Sequence, residues 1–162
     1  MSATYDKIIK CLNKTRRDYL FPPSDLNKLD NDERKNVEER IIKLCLLGDR
    51  ACFQYIDYLV MFKPQDVFND DTLKDVSVTK RAFIYKRLYY LTKDYSYIVE
   101  LYELAKKDIN AYSILTLMYY DGDIDREDLY PSLLRLSTIS EEYKIMFEKR
   151  CKKDSENVIN HI

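Results

Sequence analysis

Residues 111–128 read AYSILTLMYYDGDIDRED, an apolar, tyrosine-rich run that breaks into five acids within its last eight residues. The spacing predicts a helix over 109–120, a turn over 121–128, and a short helix over 129–136 entered near Pro131. The same alternation of apolar helix and short polar corner recurs outward in both directions. Only two glycines and four prolines occur in the whole chain, too few for sheets joined by tight turns. Leu, Ile, Lys, Glu and Arg fill the periodic segments instead, and the fold predicted is all-α.

Toward the N-terminus, a first helix is expected over 3–20 with Ile8, Ile9 and Leu12 inward, ended by FPPSD at 21–25. Asp30 opens a second helix as cap with Glu33 three residues on, and Val37, Ile41, Leu44 and Cys45 form its inward stripe. Gly48-Asp49 marks its stop. Further helices are expected over 51–62, closed by Pro64, and over 76–91, with a polar connector at 65–75 between them. Ser96 is read as the cap of a helix over 97–106, and Ser140 starts a last helix running to about residue 152. Short links fold consecutive helices into antiparallel pairs, stacked as a short α-solenoid-like single domain over 1–153, with a frayed tail over 154–162. No helix carries an apolar stripe wide enough to be buried all round.

The chain has 162 residues, 46% hydrophobic and 34% charged, which suits one folded domain rather than a disordered chain. With 27 basic and 28 acidic residues the formal charge is −1, a poor basis for non-specific nucleic-acid binding. Cys11, Cys45, Cys52 and Cys151 form no C-x-x-C pair, and His161 completes no zinc set. The thiols are read as reduced and the compartment as cytoplasmic. No secretory leader, membrane span or cofactor is expected.

Three readings compete for the acidic corner. Asp121, Asp123 and Asp125 take the first, third and fifth places of a calcium loop, but Arg126 stands where that loop needs glycine and Ser132 where it needs a bidentate glutamate. Asp and Gly also build corners, and Asp125 with Asp128 suits a helix N-terminus. Five acids against one arginine leave a local net charge of −4, which would attract a basic partner. Catalysis lacks a motif: Gly48 and Gly122 stand apart from any phosphate loop, and the adjacent pairs Glu38-Glu39 and Glu141-Glu142 read as solvated surface. Fifteen tyrosines against no tryptophan suit a surface that is apolar yet wet, although an AT-rich genome would also raise their number.

Residues 111–137 resemble a Sel-one-like repeat, a relative of the tetratricopeptide class. Ala111, Leu115, Tyr119, Tyr120, Gly122 and Asp125 can be laid on its pattern of leucine- and tyrosine-rich helix, glycine corner, acidic link and second helix. The glycine inside that family's first helix is absent, and Pro131 stands where alanine is usual. The resemblance spans about one repeat and implies a helix-pair scaffold for protein binding.

The function expected is a non-catalytic protein-binding module. By type it resembles the immunity proteins that bacteria encode beside toxins, which cap the toxin in the cytoplasm. Asp121, Asp123, Asp125 and Glu127 would then face a basic toxin domain, with Tyr119, Tyr120 and Tyr130 as anchors. The acid-rich segment 30–39 is the second candidate surface. The competing expectation is a helical-repeat adaptor holding a peptide in a groove, and a third is a small helical enzyme or RNA-binding factor.

Overall fold

Two glycines at two helix ends organise the backbone. The computed structural model describes residues 1–14, 20–124 and 126–152, and among these every regular element is helical. The chain divides into two compact units, Met1–Lys80 and Arg81–Ile162, with the division near the start of one helix. The expected tail over 154–162 lies outside the described residues. No helix among the described residues is long and apolar enough to cross a membrane.

In the first unit, α1 (Ala3–Leu12) is shorter than expected, stopping at the cap Asn13. Ile8 and Leu12 are buried and Ile9 is half-buried. Pro23–Lys28 forms a 3-10 helix, proline at its start supplying a preset φ and no wasted N–H. α2 (Asn31–Leu46) begins in the expected capping box: Asp30 accepts from the Glu33 N–H at 2.8 Å, and Glu33 accepts from the Asp30 N–H at 3.2 Å. It ends in a Schellman motif, with the Gly48 N–H on the Cys45 carbonyl at 2.9 Å and the Asp49 N–H on that of Leu44 at 3.0 Å. Gly48 has φ +84°, a left-handed conformation that strains any residue with a Cβ.

The helix expected over 51–62 is instead a 3-10 helix over Arg50–Tyr58, after which Leu59 is extended. Three residues per turn align Phe53 with Ile56 and Cys52 with Tyr55, and all four are buried. Val60, just beyond the helix, is exposed. The polar connector contains two single turns, α3 (Pro64–Val67) and α4 (Asp70–Leu73), which place Phe68 and Leu73 in the core.

Glu38 corrects the surface reading of its acid pair: Glu39 is exposed, but Glu38 is 0% exposed. One carboxylate oxygen accepts from the Val60 and Met61 N–H groups at 2.9 and 3.0 Å, and the other from Arg34 Nε at 2.8 Å. Arg34 also donates to the Tyr58 carbonyl at 2.6 Å and to Asn27 at 3.2 Å. This network satisfies the irregular chain between the 3-10 helix and α3, which has no ladder of its own.

The second unit contains most of α5 (Val78–Thr92), then α6 (Ser96–Ala105), α7 (Ile109–Tyr120), α8 (Arg126–Leu136), α9 (Glu141–Phe147) and a π-turn over Glu148–Lys152. Ser96 is helical here rather than a cap, its N–H held by Asp94 at 2.9 Å. Ser140 caps α9 by accepting from the Tyr143 N–H at 3.3 Å. Pro131 lies inside α8, not in its first turn. On α5, Leu91 faces out, and Tyr85 and Tyr89 take the buried positions beside Ile84 and Leu88.

The helix α7 is the hub of this unit, packed against α6, α8, α9 and the π-turn. Only Asn110, Leu117 and Tyr120 of it are exposed, so it is buried on nearly every side, against the expectation. Buried tyrosines tie the surrounding helices together. Tyr112 donates to the Leu133 carbonyl at 2.9 Å, Tyr143 to that of Ala105 at 2.6 Å, and their rings stack 4.6 Å apart. Part of the tyrosine excess therefore lies in the core, where the rings add apolar area and the hydroxyls of Tyr112 and Tyr143 meet carbonyls in the last turns of α8 and α6.

Candidate functional site

The acidic corner is the stop signal of α7. The Gly122 N–H reaches the Tyr119 carbonyl at 3.1 Å and the Asp123 N–H reaches that of Met118 at 3.0 Å, a second Schellman motif with Gly122 at φ +77°. Ile124 is buried and pulls the chain back toward the core before α8 begins. Asp121 and Asp123 are exposed at the corner, and Glu127 and Asp128 are exposed in the first turn of α8, where their charge complements the helix dipole. Asp125 lies outside the described residues.

Asp123 has a specific tertiary partner. Its carboxylate accepts from the Tyr90 hydroxyl at 2.6 Å, and its backbone carbonyl accepts from that of Tyr89 at 3.4 Å. Two lysines flank the same rings: Lys93 Nζ is 5.1 Å from the Tyr90 centroid and 5.4 Å from that of Tyr89, with Lys86 5.9 Å from Tyr90. Burial, and then the hydrogen bond to Asp123, push the Tyr90 phenol above its ordinary range. The patch is thus acids bordered by a lysine–tyrosine cluster, which sequence spacing across more than thirty residues could not reveal.

The three tyrosines expected as anchors separate. Tyr119 is 4% exposed and belongs to the core, so its role as a surface anchor is corrected. Tyr130 is half-buried, its ring between Tyr119 at 6.1 Å and Phe147 at 5.6 Å. Tyr120 is 56% exposed and projects beside the corner. Leu117, one turn earlier on α7, is also exposed, and the sequence reading missed it. Among the described residues, no three His, Cys, Asp or Glu side chains converge closely enough to hold a metal ion.

The second candidate surface, residues 30–39, spends its acids internally. Asp30 caps α2, Glu38 is buried, and Glu33 accepts from the Ser2 N–H at 2.7 Å and its hydroxyl at 2.8 Å. Asp32 and Glu39 remain outward, interleaved with exposed Lys35 and Arg40. The chain matches no family profile, no curated protein and no solved structure.

Proposed function

We propose that the chain is a non-catalytic protein-binding module that neutralises a basic protein partner, in the manner of a toxin immunity protein, through the corner after α7. The observation that supports this reading is the exposure of Asp121, Asp123, Glu127 and Asp128 in the corner and helix start that follow the exposed Tyr120. An amphipathic ring next to a run of exposed acids suits a partner whose basic groups are steered in by charge and held by apolar contact. The pair α7–α8, hinged at Gly122, is also compatible with the helix-pair scaffold that the repeat resemblance implies.

The test is capture of the tagged chain's partner from its native host, followed by affinity measurement with purified components. Replacing Asp121, Asp123 and Asp125 with Asn removes charge, and in Asp123→Asn the amide oxygen would still accept from Tyr90. Affinity should fall by about tenfold or more and lose its salt dependence, with helicity intact. Unchanged binding would return these acids to a purely local role at the corner.

A further inference from the structure

Within the second unit, the acidic corner is bordered by two bases of the α5 segment, and the ring of Tyr90 stands between them and the acids. The Tyr90 hydroxyl donates to Asp123 Oδ2 at 2.6 Å, while Lys93 Nζ lies 5.1 Å and Lys86 Nζ 5.9 Å from the ring centroid. Lys93 also lies 5.4 Å from the centroid of Tyr89, whose ring is 6.0 Å from that of Tyr90. One small group of rings therefore fixes the spacing between an acid and two bases. Among the described residues neither ammonium has a carboxylate within 4.0 Å, and Asp123 Oδ1 receives no hydrogen bond. Lys93 is exposed and Lys86 half-buried. Opposite charges thus stand side by side without direct contact, and each keeps capacity for a group from outside.

We propose, resting on the reading of this corner as a partner site, that the partner presents both signs of charge here. A basic residue faces Asp121 and Asp123, and an acidic residue one helical turn away faces Lys86 and Lys93. A surface of arginines and lysines alone would set its own cations against Lys93 wherever it covered Asp123, because the Tyr90 ring keeps the two within one contact. Like charges brought together in this way select against such a partner. Residues three and four apart on a helix have Cβ atoms about 5–6 Å apart, which matches the spread of charge across one tyrosine ring. An acid and a base so spaced pair only weakly within the free partner in water, so exchanging that pair for the corner costs little.

The test uses two synthetic helical peptides as probes, titrated calorimetrically into the full chain at low salt. One carries arginines alone along a face, and the other alternates arginine and glutamate there, turn by turn. The mixed peptide should bind the wild type more tightly, by roughly fivefold. Lys86→Glu with Lys93→Glu should reverse that order. Lys86→Gln with Lys93→Gln, a smaller disturbance, should bring the two peptides level. Thermal melts check that each variant is folded. Asp121→Asn with Asp123→Asn should weaken both peptides. A tighter arginine peptide on the wild type, or a preference that survives both lysine variants, would overturn the two-sign partner and leave the corner itself standing. If the asparagine variant weakens neither peptide, or neither peptide binds the wild type, the corner is not the site and the proposal falls with it.

Discussion

Arg34 Nε donates to Glu38 at 2.8 Å across one turn of α2, and the carboxylate is fully buried. A buried pair of this kind contributes little net stability when whole, because both ions lose their hydration. Breaking it is a different matter, since one charge is then left without its counterpart.

Glu38→Ala should therefore lower the unfolding free energy by about 3–5 kcal/mol. Glu38→Gln should cost less, because an amide oxygen still accepts from the Val60 and Met61 N–H groups. Replacing both Arg34 and Glu38 with Met should cost less than the sum of the single changes, as the orphaned charge disappears with its partner. Urea denaturation of these variants together with the single changes Arg34→Met and Glu38→Met checks this, and strict additivity would show that the pair is not coupled.

The tyrosine hydroxyls predict two different costs for the same deletion. Tyr55 donates to the Phe21 carbonyl at 2.7 Å and accepts from the Phe21 N–H at 3.0 Å, with the rings stacked 4.4 Å apart. Tyr55→Phe keeps the stack and strands two buried backbone groups, at a cost of about 2–4 kcal/mol. Tyr112→Phe should cost about 1 kcal/mol, because the Leu133 carbonyl keeps the Ser137 N–H at 3.0 Å. Equal losses in the two variants would contradict the assignment.

Lys93 closes α5 at φ +57°, a left-handed conformation that glycine adopts without cost. Lys93→Ala removes the ammonium from the Tyr89 and Tyr90 rings and keeps the strain. Lys93→Gly removes both. The glycine variant should therefore be the more stable of the two by about 1 kcal/mol, after allowing for glycine's greater freedom in the unfolded chain. Thermal melts side by side decide the sign.

Stability should fall at both ends of the pH scale for separate reasons. Burial raises the Tyr90, Tyr112 and Tyr143 phenols above their ordinary value. The folded chain therefore holds their protons longer, and their contribution is complete below about pH 10 and lost as pH rises beyond it. At the acid end, Asp25 is lowered first by its hydrogen bond from Lys28, Glu33 by the Ser2 N–H and Asp94 by the Ser96 N–H. Their contribution is complete above about pH 4 and lost as pH falls through it. Melting temperature against pH should show a plateau between these limits. Tyr112→Phe should flatten the alkaline limb and leave the acid limb unchanged.

Helix ends were the most legible features, because the groups that make them are neighbours in the chain. The capping box at Asp30, the stop at Gly48, the run of α7 from Ile109 to Tyr120 and the cap at Ser140 all appear as read. Reading failed at the starts of α6 and α8, where Asp94 rather than Ser96 serves the first N–H and the helix begins ahead of Pro131. It failed also where the choice depended on distant partners. Residues 50–58 carry apolar spacing that α and 3-10 helices can both bury, and the Tyr55 bonds to Phe21 belong to the tighter form. Tyr119 and Tyr120 are adjacent and chemically identical, yet one is core and the other surface, because the packing around α7 covers one side of its end and not the other.

Glu38 marks the same boundary. Its place on the stripe of Val37, Ile41 and Cys45 was already written in the helical period, and Arg34 stands one turn before it on the same side. The period alone settles which positions share a face, and local side chains settle where each helix starts and stops. Whether a carboxylate on the inner face stays there depends on donors that can replace water. For Glu38 two of the three are backbone N–H groups more than twenty residues downstream, brought to it only by the folded chain.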